Sequence, residues 1–222
     1  MRIRYLGHSA FLIGEVLVDP FITGNPLYPG KGYEEAKVIA VTHGHGDHLG
    51  DAAKIAKEKG IPVVAIYEIA MYLSKKGVDV IGMNFGGTAS VEGYNITMVP
   101  AVHSSGITED DFTHSGGQAA GYIISKDGKS VYHAGDTMVF GDMKLIGDLF
   151  KIDVALLPIG GFYTMDTKQA VLAAKMLRPK YVIPMHYNTW PPIQANPEDM
   201  RPALKEEGIE LIVLKPGEEF NL

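Results

Sequence analysis

The stretch Val41-Thr42-His43-Gly44-His45-Gly46-Asp47-His48 decides the interpretation of this chain, because it holds four metal-competent side chains within six residues, directly after an apolar run. Imidazole nitrogens and carboxylate oxygens suit zinc and related divalent ions. In an extended segment, residues two positions apart project to the same side, so His43 and His45 can share one ion. Asp47 and His48 follow where the chain turns and can face a second ion. The stretch therefore predicts a metal site at the end of a strand.

Gly44 and Gly46 separate these side chains and give the backbone freedom to crowd them around a small volume. The competing interpretation is a polar loop that caps a helix beginning near Leu49 or Asp51, with Asp47 as its N-cap residue and solvated histidines. We favour the metal site, because three histidines and an aspartate seldom cluster without one.

Three further metal-competent residues, His103, Asp136 and His186, each follow an apolar run that is typical of a strand. Together with His43, they give four strands that each carry such a residue at the carboxyl end. The ends of neighbouring strands converge, and ligands usually bind at such edges. The candidate metal ligands are therefore His43, His45, Asp47, His48, His103, Asp136 and His186.

Seven ligands suffice for two ions if one carboxylate bridges them. Asp136 is the predicted bridge, since its two oxygens can serve cations roughly 3.5 to 4 Å apart, as in two-metal hydrolytic sites. The first ion would be held by His43, His45 and His103, and the second by Asp47, His48 and His186. We expect two divalent ions, with Zn²⁺ favoured, although Mn²⁺, Fe or Ni²⁺ accept the same donors.

Composition limits the function classes. The 222 residues, 46% of them hydrophobic and 21% charged, predict one domain spanning 1–222. No apolar run is long enough to cross a membrane, and no signal peptide is recognisable, so we expect a cytoplasmic protein. The absence of cysteine excludes thiolate ligands, and the formal net charge of −6 disfavours nucleic acid as a partner. The expected partner is a small-molecule substrate, and a homo-oligomer is left open.

Turn residues and hydrophobic periodicity predict hairpins at the start of each half, followed by β/α alternation. Predicted strands cover 3–6, 10–13, 16–18, 37–42, 61–66, 78–83, 121–125, 130–133, 153–159, 180–185 and 209–214, with a hairpin in 90–102. Predicted helices cover 51–59, 67–76, 140–150, 167–177 and 197–207, and segments 22–32 and 104–117 are predicted loops. This order favours two packed sheets with helices outside over a single doubly wound sheet.

The seven candidate ligands, in this order, resemble the metallo-β-lactamase-fold hydrolases, whose signature is HxHxDH followed by a lone His, an Asp and a final His. The segments 6–11, 19–21, 25–26 and 132–137 are more narrowly similar to the UPF0173-like metal-dependent hydrolases, which are related to ascorbate-phosphate lactonases. The resemblance implies an α/β (α+β) fold, namely a four-layer αββα sandwich of two mixed sheets packed face to face with helices outside. It also implies hydrolysis.

In such a hydrolase, a hydroxide bridging the two metals would attack an ester, lactone or phosphoester bond. Asp47 is the candidate to orient this nucleophile or to accept its proton. The resemblance places His8 near the metals, where it could act as an acid for the leaving group. His114, in loop 104–117, and His133 are candidates for substrate binding, with a structural role as the alternative for His133.

Two aromatic segments follow predicted strand ends and can line the same cavity: Phe162-Tyr163 and Trp190. Three alternative functions stay open at this point: an iron-dependent redox enzyme of the same fold, either a dioxygenase or a di-iron protein; a nuclease or phosphodiesterase; and a metal-binding scaffold. β-Lactam hydrolysis does not follow from the resemblance, because substrate selectivity depends on the loops.

Overall fold

The computed structural model describes all 222 residues, which form two seven-stranded sheets, a separate two-stranded hairpin and six α-helices. The strands are β1 (Arg2–Tyr5), β2 (Phe11–Ile13), β3 (Val16–Val18), β4 (Val38–Ala40), β5 (Val63–Ile66), β6 (Val80–Met83), β7 (Thr88–Val91), β8 (Tyr94–Pro100), β9 (Gly106–Glu109), β10 (Phe112–Ser115), β11 (Ala120–Lys126), β12 (Lys129–His133), β13 (Val154–Pro158), β14 (Tyr181–Met185), β15 (Glu210–Leu211) and β16 (Glu219–Asn221). The helices are α1 (Gly46–Leu49), α2 (Ala52–Lys59), α3 (Tyr67–Lys75), α4 (Met143–Leu149), α5 (Thr167–Leu177) and α6 (Arg201–Glu206), with 3₁₀ turns at Pro191–Ile193 and Pro197–Met200.

The two large sheets share one pairing pattern. The first has the order β16-β1-β2-β3-β4-β5-β6 and the second β7-β8-β11-β12-β13-β14-β15. In each sheet three antiparallel pairings are followed by three parallel ones. Hairpins followed by β/α alternation in each half are therefore confirmed, as is the prediction of two mixed sheets with helices.

The core explains why the central strands have continuous apolar sequences. Strands β4 and β13 are buried along their whole length, as expected for parallel strands that are covered on both faces. Fifty-eight buried residues from both sheets and from the helices that cover them form one contiguous apolar cluster, in which Tyr122 and Tyr132 are the largest fully buried side chains. Tyr122 Oη donates a hydrogen bond of 2.8 Å to Val41 O, which fixes the second sheet against the end of β4.

Backbone hydrogen bonds join the sheets at one edge. Ala120 N–H donates to Thr42 O at 2.9 Å, and His186 N–H donates to His8 O at 2.9 Å. These bonds bring together the loops that follow the carboxyl ends of β1, β4 and β14. None of the helices combines the length and apolar character that crossing a bilayer requires.

Some predicted elements were wrong. The segment 104–117 contains the hairpin β9–β10, and because all four residues of β10 are exposed, apolar alternation gave no signal for it. The final strand β16 was also missed, because its single apolar residue, Phe220, gives no pattern and the strand is defined by pairing with β1. The predicted helix 197–207 is a 3₁₀ turn followed by α6, and the helix predicted at 140–150 is limited to α4.

Candidate metal centre

The seven predicted ligands lie together at the edge where the two sheets meet. They follow the carboxyl ends of β4, β8, β12 and β14. Together with His8, they form three overlapping groups, within each of which the ligand atoms all lie within 4.8 Å of one another. The groups are His43, His45 and His103; His43, His48 and Asp136; and His8, Asp47, His48 and His186. The overlap makes one continuous cluster rather than separate sites.

The first group consists of three imidazoles. His43 Nε2 and His45 Nδ1 are 3.0 Å apart, and the His103 ring centroid is 5.1 Å from each of these two rings. On its other side, His43 Nδ1 is 3.0 Å from Thr42 Oγ1. The grouping expected for one ion therefore forms, with the outward nitrogen of His43 held by a neighbouring hydroxyl.

The tight turn in the HxHxDH segment depends on Gly44 more than on Gly46. A Cβ on Gly44 would lie 2.6 Å from Ile107 Cγ1 and 2.9 Å from Ser105 O, whereas a Cβ on Gly46 would meet nothing within 4 Å. Gly44 N–H also donates to Ser105 Oγ at 3.1 Å. The missing side chain thus lets hairpin β9–β10 pack directly on the ligand-bearing loop.

Asp136 lies between the two predicted ion sites. Its Oδ1 is 3.3 Å from His48 Nε2, and its Oδ2 is 3.0 Å from His186 Nε2, 3.6 Å from His103 Nε2 and 4.0 Å from His43 Nε2. The carboxylate therefore faces histidines of both groups, which is the position that a bridging ligand needs.

Asp47 and His8 form a hydrogen-bonded chain beside the second group. Asp47 Oδ2 is 3.8 Å from both His48 Nε2 and His186 Nε2, and 3.1 Å from His8 Nε2. Burial lowers the pKa of His8 to about 4, so this imidazole is neutral. Because a carboxylate only accepts, His8 Nε2–H donates to Asp47 and His8 Nδ1 accepts from the Thr189 hydroxyl at 2.7 Å.

The electrostatics of the cluster favour cations. Burial alone would raise the pKa of the Asp136 carboxyl, but attraction to His48 and His186 outweighs it and holds that pKa well below its usual range. Burial alone would lower the pKa of His186, yet Asp136 and Asp47 raise it to about 9. Burial opposes protonation of His48 as well, but Asp136 and Asp19 outweigh it and raise the pKa of His48. The ionised carboxylates thus favour the protonated forms of His48 and His186. A divalent ion bound at these histidines would displace the protons.

Asp19 was not among the predicted site residues, although it contacts the candidate ligand His48. Its carboxylate is fully buried and accepts from Thr42 N–H at 2.8 Å and from Thr42 Oγ1–H at 2.7 Å, and it lies 2.7 Å from His48 Nδ1. A carboxylate on the outward nitrogen of a metal-binding histidine fixes its tautomer and orientation. The available signal was an Asp-Pro pair at the end of a strand that adjoins β4.

Three residues near the cluster have left-handed backbone conformations although they are not glycine: His8 with φ 58°, Asp19 with φ 46° and His186 with φ 54°. This backbone conformation is uncommon in residues other than glycine. Where it occurs, it is often at a functional site, because the surrounding structure maintains the strain.

The cluster forms one wall of a cavity of about 460 Å³. Its lining residues are His45, Asp47, His103, Ser104, Asp136, Tyr163, His186 and Trp190. Tyr163 and Trp190 lie where the sequence analysis expected them. A volume of this size suits a small-molecule ligand.

Two predicted substrate-binding residues lie elsewhere. His133 is fully buried, its Nε2–H donates to Ser9 O at 2.9 Å, and its Nδ1 accepts from Gly135 N–H at 3.1 Å, so both ring nitrogens serve the backbone. His114 is exposed on β10 and lines a different cavity, beside Tyr72 of α3. Neither residue lines the cavity at the cluster. His133 is enclosed in the core, and hairpin β9–β10 places His114 beside α3.

The comparisons with known proteins agree with this geometry. The sequence matches the family described as "Beta-lactamase superfamily domain" over residues 15–187. Relatives named UPF0173 metal-dependent hydrolase are 51% identical in Archaeoglobus fulgidus and 49% identical in Pyrococcus abyssi, each over the full length of both chains. The solved structure of Igni18, a metallo hydrolase from Ignicoccus hospitalis, is similar with a TM-score of 0.88 and 42% identity, covering 100% of this chain and 98% of that one.

Proposed function

Because the chain belongs to the metallo-β-lactamase superfamily and, within it, to the UPF0173 metal-dependent hydrolases, we propose that it binds two divalent ions and hydrolyses an ester, lactone or phosphoester bond in a small substrate. The chain is thus a metal-dependent hydrolase, and the number of ions, the preference for Zn²⁺ and the type of bond are the proposed parts. The observation that carries the proposal is the position of Asp136 between the two histidine groups.

The residues fit the ions chemically. His48 Nε2 and Asp136 Oδ1 are buried and have no hydrogen-bond partner, although they lie only 3.3 Å apart. Buried polar atoms of this kind are normally satisfied. One ion would be held by His43, His45 and His103, and the other by Asp47, His48 and His186, with Asp136 shared. An all-nitrogen and oxygen donor set suits Zn²⁺ and also Mn²⁺, Fe or Ni²⁺.

Bound ions of this kind lower the pKa of water and polarise a substrate oxygen. Among the protein groups, Asp47 lines the cavity and offers a carboxylate oxygen that can orient a nucleophile or hold its proton. Asp47 could also bind the second ion from this position, because its Oδ2 lies 3.8 Å from His48 Nε2 and from His186 Nε2. The Trp190 and Tyr163 side chains line the same cavity.

The predicted role of His8 needs a correction. His8 is fully buried, does not line the cavity and uses both ring nitrogens within the protein, on Asp47 and Thr189. It therefore has no free proton to give to a leaving group. We assign it instead as a positioning residue that orients the Asp47 carboxylate.

The proposal is tested by elemental mass spectrometry on protein purified without chelator or a metal-affinity column, together with assays on ester, lactone and phosphodiester substrates. We expect about two ions per chain, with turnover that a chelator abolishes and that added metal restores. Failure to bind metal after reconstitution would contradict the site. A single iron with oxygen consumption would instead favour the redox alternative.

The His8→Asn variant tests the positioning role. Asparagine tolerates the left-handed conformation of residue 8, so the fold should persist. We expect the metal content to stay unchanged while kcat falls about 10- to 100-fold, since the partner that orients Asp47 is lost. The Thr189→Val variant, which removes only the outer hydrogen bond, should show a smaller fall in the same direction. Unchanged turnover in His8→Asn would leave His8 with a purely structural role.

A further inference from the structure

No lysine or arginine lines the cavity. None of the twenty Lys and Arg residues lies in the segments that carry the cluster and the cavity lining, which are 5–30, 38–53, 77–125, 130–143, 152–167 and 181–200. Three lysines lie instead at the amino ends of strands whose carboxyl ends lead to the cluster. They are Lys37 before β4, Lys129 at the start of β12 and Lys180 before β14. Lys180 is paired there with Asp153 at 2.7 Å, and Lys37 with Glu15.

This distribution limits what the cavity can recognise. Proteins that hold a phosphate or carboxylate group usually present Arg or Lys to it. Apart from the Tyr163 phenol, the ionisable groups of this lining are three histidines and two carboxylates, Asp47 and Asp136. An anionic group on the part of a substrate that extends away from the metals would therefore be desolvated without a counter-charge from the protein, which is unfavourable.

The remaining lining is aromatic. The Trp190 ring is held edge-on by His8, at 4.8 Å between centroids, and lies 6.1 Å from the ring of Phe21. Tyr163 is 53% exposed and makes an edge-to-face contact with Phe162, which is 69% exposed, at 4.8 Å. Trp190 thus packs against other aromatic rings of the protein, whereas the Tyr163 ring projects into solvent.

Two more exposed apolar side chains adjoin ligand positions in the chain. Val102 precedes His103 and is 45% exposed, and Met138 follows Asp136 by two residues and is 51% exposed. Met138 N–H donates to Val102 O at 3.2 Å, so the two residues are neighbours in space. Exposed apolar groups collected beside a polar reaction centre are a sign of a binding surface.

We infer that the substrate is recognised through an uncharged apolar or aromatic portion that packs between Trp190 and Tyr163, rather than through a remote phosphate or carboxylate. The inference rests on the proposed function and adds a substrate class to it. It ranks neutral aryl and alkyl esters or lactones above phosphorylated ones, although the resemblance to ascorbate-phosphate lactonases would suggest the reverse.

Binding can be measured without turnover, because Trp190 is the only tryptophan of the chain and lines the cavity. The metal-loaded protein is titrated with hydroxamates that share one metal-binding group and differ in the tail, which ends in phenyl, in a carboxylate or in a phosphate. Trp190 fluorescence reports the Kd. We expect the phenyl tail to bind at least about tenfold tighter than either anionic tail, within the range that pocket contacts supply. Equal or tighter binding of an anionic tail would overturn the inference.

Variants of the exposed wall sharpen the test. Tyr163→Ser should weaken the phenyl-tailed hydroxamate more than acetohydroxamate, whereas Tyr163→Phe should keep the preference, because stacking needs the ring and not the hydroxyl. Leu172→Ser is the matched control, since Leu172 is 50% exposed on α5 and does not line the cavity. A phenyl preference that survives in Tyr163→Ser would remove Tyr163 from the recognition surface and contradict the inference as stated.

A parallel assay separates this inference from the function on which it rests. Neutral and anionic-tailed esters of the same alcohol are compared by kcat/KM. Hydrolysis with a preference for anionic tails would overturn the inferred substrate class but would still support the proposed hydrolysis. A phenyl preference in binding with no hydrolysis of any ester, lactone or phosphoester would support the recognition surface and contradict the proposed bonds.

Discussion

Replacing Asp136 with alanine is expected to remove most of the bound metal and to lower kcat/KM at least about a thousandfold, a loss of about 4 kcal/mol in transition-state stabilisation. Asp136 faces His48, His186, His103 and His43, so its loss deprives both ion sites of their shared oxygen ligand. Metal content per chain and kcat/KM are measured on the same preparation.

Asp142→Ala is the matched control for this substitution. Asp142 lies six residues further along, is exposed and makes no side-chain hydrogen bond as the N-cap of α4. It should keep both metal and turnover. If Asp136→Ala retained two ions per chain, Asp136 could not be the bridge, and if it lost a single ion, the carboxylate would belong to one site only.

Asp19→Ala is expected to weaken metal binding and folding together. Metal affinity should fall about 10- to 100-fold, because His48 loses the carboxylate that orients it. The free energy of unfolding should fall by about 3 kcal/mol or more, because Thr42 N–H, the Thr42 hydroxyl and His48 Nδ1 all lose their buried partner. Urea denaturation of the metal-free protein and competition with a chromophoric chelator measure the two effects separately.

Asp19→Asn distinguishes the two roles of this side chain. Asparagine tolerates the left-handed conformation of residue 19 and keeps an acceptor for Thr42, so much of the stability should return. It loses the negative charge that faces His48, so metal affinity should remain reduced. Wild-type metal affinity in both variants would show that Asp19 is a structural residue alone.

The sequence predicted most of the cluster because its ligands obey a local rule. Each follows an apolar run, and the ends of such runs meet at one edge of a sheet whatever the details of packing. Asp19 obeys the same rule, since β3 and β4 pair with Val18 opposite Ala40, which places Asp19 beside the segment that leads to Thr42. It was missed because its partners are a backbone amide, a hydroxyl and the far side of an imidazole, which no spacing rule describes.

The wrong assignments concern residues whose position depends on tertiary contacts. His114 was assigned to substrate binding because segment 104–117 was expected to be a loop long enough to border the cavity, but the hairpin lies against α3, where Glu109 accepts from Tyr72 Oη at 3.0 Å. His133 is close to Asp136 in sequence, yet its side chain donates to Ser9 O in the turn between β1 and β2. His8 lies against the candidate ligands Asp47 and His186, and its burial is the reason for the proposal that it acts through Asp47.

The first and last residues of the chain are neighbours in space, so the same arrangement of strands could be built from a chain in which the two sheets follow each other in a different order. Met1 and Leu222 are joined by two backbone hydrogen bonds, N–H to O at 2.9 and 3.0 Å, so a short linker could connect them. A circular permutant opened between β6 and β7 would then begin with the second sheet, β7 to β15, and end with the first, β16 followed by β1 to β6. In that permuted order each sheet is a continuous segment, and the ligands divide between two topologically equivalent modules: His43, His45, Asp47 and His48 in one, and His103, Asp136 and His186 in the other.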